Sequence, residues 1–344
     1  MTMRVLVVVL TAAVLAGCSD NSATDRAAEL AGDRDAQATT TTEEPKSPAP
    51  LSGRPVAGEV ARRPAVTVKV DNSRDGRPQA GLDKADVIFE EKVEGGVTRF
   101  VSVFHSEDSE LVGPIRSLRT TDPDIVSPLG GVFVFSDGVA VSLRRLKGAP
   151  VKVISERGGA DAFTYPKGRR RPYATFAATA RLREEAAKTA SAPPPLFGYL
   201  DEGEGFAPAG ATPAMKASIN YGSRTSALFD FDATSATWLR STNGTPHLLA
   251  DGSRLAFSNV IIQFVRYTAA GYRDSSGAAV DEAVVVGSGD AIVLVAGRQV
   301  RARWSKPTST AVTTFTDAAG APVKLVAGNT MVALPPVGAP VAVS

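Results

Sequence analysis

AVTVKVDNSRDGRPQAGLDKADVIFEEKVEGGVTRFVSVFHSE, residues 65–107, holds three strand patterns and the turns that separate them. Apolar and polar residues alternate up to Val70, and Asp71-Asn72 is turn-forming, so the first pattern is a strand running into a loop. Gly and Pro punctuate the next stretch. Val87 to Val93 and Thr98 to His105 are strand-like runs, and the Gly95-Gly96 turn between them predicts a hairpin.

Working towards the C-terminus, LVGPIRSLRTTDPDIVSPLG (111–130) starts as a loop and turns helical from about Thr121, where Asp122 supplies the N-cap and Pro123 the first helical position. GVFVFSDG (131–138) is a buried strand by its continuous apolar run. TFAATARLREEAAKTAS (175–191) is an amphipathic helix rich in Ala, Arg and Glu. SAPPPLFGYLDEGEG (191–205) then breaks regular structure. Beyond Ala214 the texture becomes short strands separated by Gly, Asn and Asp turns, as in ALFDFDATSATWLRSTNG (227–244) and SNVIIQFVRYTA (258–269). The expected fold class is α+β. A layered α/β sandwich over 64–200 is followed by a β-rich part over 214–338.

Working towards the N-terminus, residues 1–17 read as a secretory signal, with basic Arg4, an apolar run from Val5 to Leu15 and small Ala16-Gly17 before Cys18. The apolar run is too short for a permanent membrane span. Cys18 is the only cysteine of the 344 residues, so no disulfide, thiolate metal site or cysteine nucleophile is expected in the folded part. LAGC resembles the lipobox of bacterial lipoproteins, in which the Cys18 sulfur receives a diacylglyceryl group. Two or three acyl chains give stable anchoring, each buried methylene adding about 0.8 kcal/mol. From residue 18 to 63 the Ser, Thr, Ala, Glu and Pro content reads as a disordered tether. It reaches on the order of 100 Å if extended and roughly 40 Å as a coil.

A formal charge of +2 gives no electrostatic case for a nucleic-acid binder. Basic clusters do occur in LRRLKG and KGRRRPY, which read either as solvated loops or as a patch facing anionic lipid or wall polymer.

The order Asp71-Asn72, Arg77-Pro78-Gln79-Ala80-Gly81-Leu82, Ala85-Asp86, Glu90, Glu94-Gly95-Gly96, Thr98-Arg99, Gly113-Pro114, Arg116-Ser117 and Arg119 resembles the first domain of the YerB-like lipoproteins, a bacterial family of unknown function. WLRSTNGTPHLLADGSRLAFSNVIIQF and the later ARWSKP and GNTMVALPP are similar to the companion C-terminal domain. The resemblance covers about Ala65 to Val337, and implies a layered α/β first domain on an anchored, extracytoplasmic protein. In one place the chain departs from the family pattern. Where members carry Ala-Pro-His-Asn after the basic stretch, this chain has Tyr173 and Ala174 in the places of His and Asn.

Asp71, Asn72, Glu90, Glu94, Arg99, Arg116 and Arg119 fall at predicted strand ends or in Gly-containing loops, where binding residues sit on a rigid scaffold. Arginines three apart can cradle a carboxylate or phosphate. The competing reading is an ion-pair network that stitches strands to a loop. The catalytic inventory is thin. There are two histidines, His105 and His247, with no HExxH and no G-x-S-x-G, and no metal or cofactor is expected. His247 reads as a turn residue bonded to nearby backbone. The sequence therefore points to an extracytoplasmic binding or scaffolding protein held on the cell membrane by lipid on Cys18, with wall proteins or anionic wall polymer as partners. The alternative is a wall-polymer hydrolase or transferase using Glu90 or Glu94 with Asp71.

Overall fold

The computed structural model describes residues 46–158, 160–186, 191–273 and 277–344. The signal segment, Cys18 and the tether up to residue 45 lie outside the described residues.

Strands β3 (Val66–Asp71), β4 (Val87–Lys92) and β5 (Thr98–Phe104) form where the sequence predicts them. β4 and β5 pair antiparallel through the Gly95-Gly96 turn, whose glycines have φ of 71° and 72°. β6 (Val132–Phe135) and β7 (Lys152–Ser155) extend this sheet in parallel beyond β3. Helix α2 (Asp122–Val126) starts with Thr121 as its N-cap, one residue before the expected Asp122. The Asp122 carboxylate instead accepts the backbone N–H of Arg119 at 2.6 Å. The expected helix over 175–191 is shorter within the described residues, as α4 (Thr179–Ala186). Phe176 and Ala177 are drawn into bridges with Thr164 and Val112, which delays its start, and residues 187–190 lie outside the described ones.

The β-rich half supplies β8 (Lys216–Gly222), β9 (Thr225–Asp232), β10 (Thr237–Thr242), β11 (Asn259–Gln263), β12 (Arg266–Arg273), β13 (Ala279–Val284), β14 (Gly287–Val295), β15 (Arg298–Lys306), β16 (Thr314–Thr316), β17 (Thr330–Leu334) and β18 (Val341–Val343). These strands do not form a sheet apart from the first half. An 11-stranded mixed sheet runs β16-β15-β14-β11-β17-β4-β5-β3-β6-β7, with the short strand Thr212–Pro213 paired to β15 as its eleventh member, and crosses the expected boundary near residues 200–214. The junction is the parallel pair of β17 and β4, with Thr330 opposite Val87 and Leu334 opposite Glu91. A six-stranded sheet built on β10-β9-β8-β18 packs against one face, and β12 with β13 forms a separate ribbon.

Both faces of the large sheet are covered, which is why β3, β5 and β6 are buried along their whole length. Val68, Val70, Ile88, Phe100, Ile262 and Met331 face the six-stranded sheet and meet Ile219, Phe229, Trp238 and Phe257. Val87, Val101, Val103, Phe133, Val293 and Val332 face the other way, towards Ile125 and Val126 of α2 and Leu146 of α3 (Ala140–Leu146).

The folded body also starts earlier than the expected residue 64. β1 (Lys46–Pro48) and β2 (Pro55–Ala57) pair antiparallel, and α1 (Gly58–Arg62) follows. Leu51 is fully buried in the core behind them, Ser52 accepts the Gly328 N–H at 2.7 Å, and the Arg63 guanidinium pairs with Asp108. Residues 46–63 therefore belong to the body and not to the tether. The composition of this segment concealed it, since a single leucine carries most of its burial.

Candidate functional site

At the C-terminal end of β3 the chain opens a cleft of about 610 Å³ between the two sheets. Its large-sheet side carries Asp71, Asn72, Ser73, Arg74, Asp75, Arg77, Glu94, Arg99 and Arg116, with Tyr173 beside them. Its other side carries Arg224, Thr225, Thr242 and Asn243. Gly76 lets the loop after β3 close onto the site, because a Cβ there would lie 2.3 Å from the Asp71 Oδ1.

The Asp71 carboxylate accepts Ser73 N at 2.6 Å and the Ser73 hydroxyl, and pairs with Arg116 Nε at 3.2 Å. The Arg116 guanidinium lies over the Tyr173 ring, 5.1 Å from its centroid, and donates to Pro172 O at 3.2 Å. Tyr173 thus stands in the cleft beside Arg116.

Glu94 takes a fork from Arg119, Nε to Oε2 at 2.7 Å and Nη2 to Oε1, while Arg99 Nη2 reaches the same Oε1 at 3.2 Å. Burial pushes the Glu94 carboxyl up, but the Arg119 hydrogen bond and the two guanidinium charges outweigh it and hold the pKa at about 2. Glu94 therefore carries no proton at neutral pH and cannot serve as a general acid. Burial, with the charge of Arg119 next, lowers Arg99 to about 10. Arg99 Nη1 donates to Ser117 O at 2.9 Å, but its Nε is buried without an acceptor among the described residues.

Behind the cleft lies a closed polar network between the sheets. Glu90 is fully buried and accepts from Asn72 Nδ2 (3.1 Å), Thr98 Oγ1 (2.8 Å) and Arg240 Nη2 (2.8 Å) on one oxygen, and from Tyr221 Oη (3.0 Å) on the other. Arg240 is sandwiched between Phe100 and Phe229 at 5.4 and 5.3 Å. Its Nε and the Thr242 hydroxyl meet His247 Nδ1, and His247 Nε2 faces Gln79 Oε1 at 2.9 Å. Gln79 Nε2 donates to Asp71 O and Asn72 Oδ1, which closes the chain of bonds. Burial, then the charge of Arg240, drives the His247 pKa well below 6.5, so its ring is neutral, accepting at Nδ1 and donating at Nε2.

On the opposite face of β4, Lys69 holds both Glu91 and Asp122, the latter at 2.7 Å, with all three fully buried. Burial, with the nearby Asp122 charge, raises Glu91 to about 7 against the pull of Lys69. A second cavity of about 40 Å³, lined by Phe89, Ile125, Phe197 and Phe315, has room for little more than a water. Its Lys306, lowered to about 8 by burial, donates to Ser309 O at 2.9 Å and to Ala311 O, and clasps its own turn.

Of the residues singled out in the sequence, the structure brings Asp71, Asn72, Glu94, Arg99 and Arg116 to one cleft. Glu90 lies behind its floor. Arg119 folds onto Glu94 and lines no part of it, so Arg116 and Arg119 do not form a joint cradle. His247 bonds to neighbouring backbone through its own N–H and C=O, at Arg240 O and Leu255 N, while its ring links Thr242 and Arg240 to Gln79 in the loop after β3. Cys18 lies outside the described residues. Sequence reasoning missed Arg224, which lines the cleft without a side-chain bond among the described residues, and Gln79, Tyr221 and Arg240, which bond to residues distant in the chain. Gln79 and Arg240 carried a signal, as parts of the family-like Arg77-to-Leu82 and WLRSTNGTPH runs. Among the described residues no group of three or more His, Cys, Asp or Glu gathers in a way that could hold a metal, and no helix is long and apolar enough to cross a membrane.

Comparison with known proteins places the chain in a family. The N-terminal domain model of the protein of unknown function DUF3048 matches residues 51–192, and its C-terminal domain model matches residues 217–332. "Putative lipoprotein YerB" of Bacillus subtilis (strain 168) is 40% identical over 89 residues, which span 26% of this chain and 27% of that protein. A crystal structure of YerB protein from Bacillus subtilis superposes with a TM-score of 0.73 at 21% identity, covering 86% of this chain and 100% of that one, so the fold is shared. With both domain models matched in order and the same fold found in a solved relative, the chain belongs to the YerB-like family, DUF3048.

Proposed function

We propose that this chain is an extracytoplasmic envelope protein, anchored by lipid on Cys18, that binds a ligand through an anionic group in the cleft between its sheets. The observation that carries the binding reading is the state of the cleft's guanidinium groups. Arg99 holds one wall of the cleft, its Nη1 and Nη2 bound to Ser117 O and Glu94, and leaves the accessible positive charge to its neighbours. Arg74, Arg77 and Arg224 line the same space without a salt bridge among the described residues. Asp71 and Glu94 are already engaged by Arg116, Arg99 and Arg119, which leaves Asp75 as the one lining carboxylate without a salt bridge among the described residues, against three such arginines. The lipid anchor rests on the LAGC motif and on the name of the Bacillus relative. A hydrolase reading has less support, because Glu94 is held ionised and all the Glu90 contacts are structural.

The test is a thermal-shift titration of the full chain in mild detergent with inorganic phosphate and small dicarboxylates, beside Arg224→Ala. Arg224 is exposed and makes no side-chain bond among the described residues, so its loss leaves the fold intact. The expected outcome is saturable stabilisation that weakens in the variant. No stabilisation by any anion would remove the binding reading.

A further inference from the structure

We infer that the ligand of the cleft is a chain polymer with repeating phosphate groups, lying from Arg224 across the cleft and out along the basic loop 167–173; this rests on the cleft being an anion site. Three observations support it.

First, the positive surface does not stop at the cleft. Arg169 Nη1 donates to Gly76 O at 3.3 Å and Nη2 to Pro78 O, which seats the KGRRRPY loop beside the loop that follows β3. Arg116, inside the cleft, holds the other end of this loop through Pro172 O and Tyr173. Lys167 and Arg170 are exposed on it with no salt bridge among the described residues, so the cationic track continues past the cleft mouth. A single small anion would use only the inner end.

Second, the lining suits phosphate better than sugar. Saccharide sites need free carboxylates or amides to accept hydroxyls, and open aromatic faces for ring stacking. Here the Asp71 and Glu94 carboxylates are taken by protein donors. The Tyr173 face is covered by Arg116, and the Asn243 amide is committed to Ser226 N and Arg224 O. What remains among the described residues is one free carboxylate, Asp75, against the guanidiniums of Arg74, Arg77 and Arg224, which outnumber it and fork onto phosphate oxygens.

Third, the folded body is entered from the other end of its strands. Residues 46–63 pack beside His105, Ser106 and Gly328, at the start of β3 and the end of β5, whereas the cleft lies at the end of β3. The six residues of β3 separate the two ends by about 20 Å. The cleft is thus open at the end of the body away from the chain entry, which leaves room for an extended polymer to run out of it.

The experiment is calorimetric titration of the detergent-solubilised full chain with orthophosphate, with linear polyphosphate of increasing length, with oligogalacturonate of matched charge, and with phosphatidylglycerol vesicles. The Lys167→Ala/Arg170→Ala variant is run beside it. Affinity is expected to rise about tenfold or more from orthophosphate to polyphosphates long enough to leave the cleft, with a steeper salt dependence. The double variant should lose that gain and keep orthophosphate binding. Orthophosphate binding with no length dependence would overturn the polymer inference and leave the anion site standing. Oligogalacturonate or vesicles binding as tightly as polyphosphate would overturn the phosphate-polymer assignment. No binding by any of the four probes would overturn both readings.

Discussion

Glu90 and Glu91 are neighbours in sequence, and their side chains lie on opposite faces of one sheet. Strand alternation sends Glu90 into the space between the sheets, where four donors hold it, and Glu91 to the side of Lys69 and Asp122. The sequence shows that two adjacent carboxylates must diverge, but not that both are structural. Their partners Arg240 and Asp122 lie 150 and 31 positions away, and no local pattern announces them. The same limit explains the divided fate of Arg116 and Arg119. Spacing placed them in one loop, but only packing decided that one would face the cleft and the other Glu94. Glu91 carries a testable pH signature. Its folded pKa of about 7 lies above its unfolded value of about 4.5. The native state therefore binds the extra proton, and stability is lost as pH rises from about 4.5 through 7. Glu91→Gln removes that penalty and leaves Lys69 paired with Asp122. Relative to the unaltered chain, the variant should gain about 2–3 kcal/mol in urea unfolding between pH 5 and pH 8. A constant difference across that range would mean Glu91 is ionised throughout.

At the scale of elements, most strands were legible because their alternation and turn chemistry are local. Which sheet each would join was not. NTMVAL reads as a strand, yet nothing in it says that Met331 will lie beside Ile88 in a parallel pair 243 positions apart. The six-stranded sheet is fixed to the large one by packing and by the Glu90 network, which ties β4 to Tyr221 on β8 and Arg240 on β10. Arg240→Ala should cost about 3–5 kcal/mol, since it leaves Glu90 buried without its cation. The paired change Glu90→Gln with Arg240→Met should cost clearly less than the sum of its parts. Chemical denaturation of Arg240→Ala, and of Glu90→Gln, Arg240→Met and their double variant, measures this, and strict additivity would mean that the two residues do not act as a unit.

For the molecule as a whole, the α+β body was legible in the sequence, while the expected anchor and most of the expected tether lie outside the described residues, and the start of the body was put too late. Pro, Ser and Gly in KSPAPLSGRPVAGEV obscure a segment whose Leu51 fills the core and whose Gly53 packs on the Tyr199 ring. A chain cut before residue 46 should unfold with the cooperativity of the full chain. One cut before residue 64 should lose several kcal/mol, as core side chains become exposed. Equal midpoints for the two would place 46–63 outside the cooperative unit. The central claim is that the cleft is an anion site formed by Arg74, Arg77 and Arg224, and nitrogen-edited NMR of the arginine Nε–H groups tests it most directly. With the Arg224 resonance assigned from Arg224→Ala, titration with a phosphate-bearing ligand should shift that signal saturably downfield as its donors gain an acceptor. Arg74, Arg77 and Arg224 Nε–H signals that do not move at ligand concentrations that stabilise the protein would contradict the account.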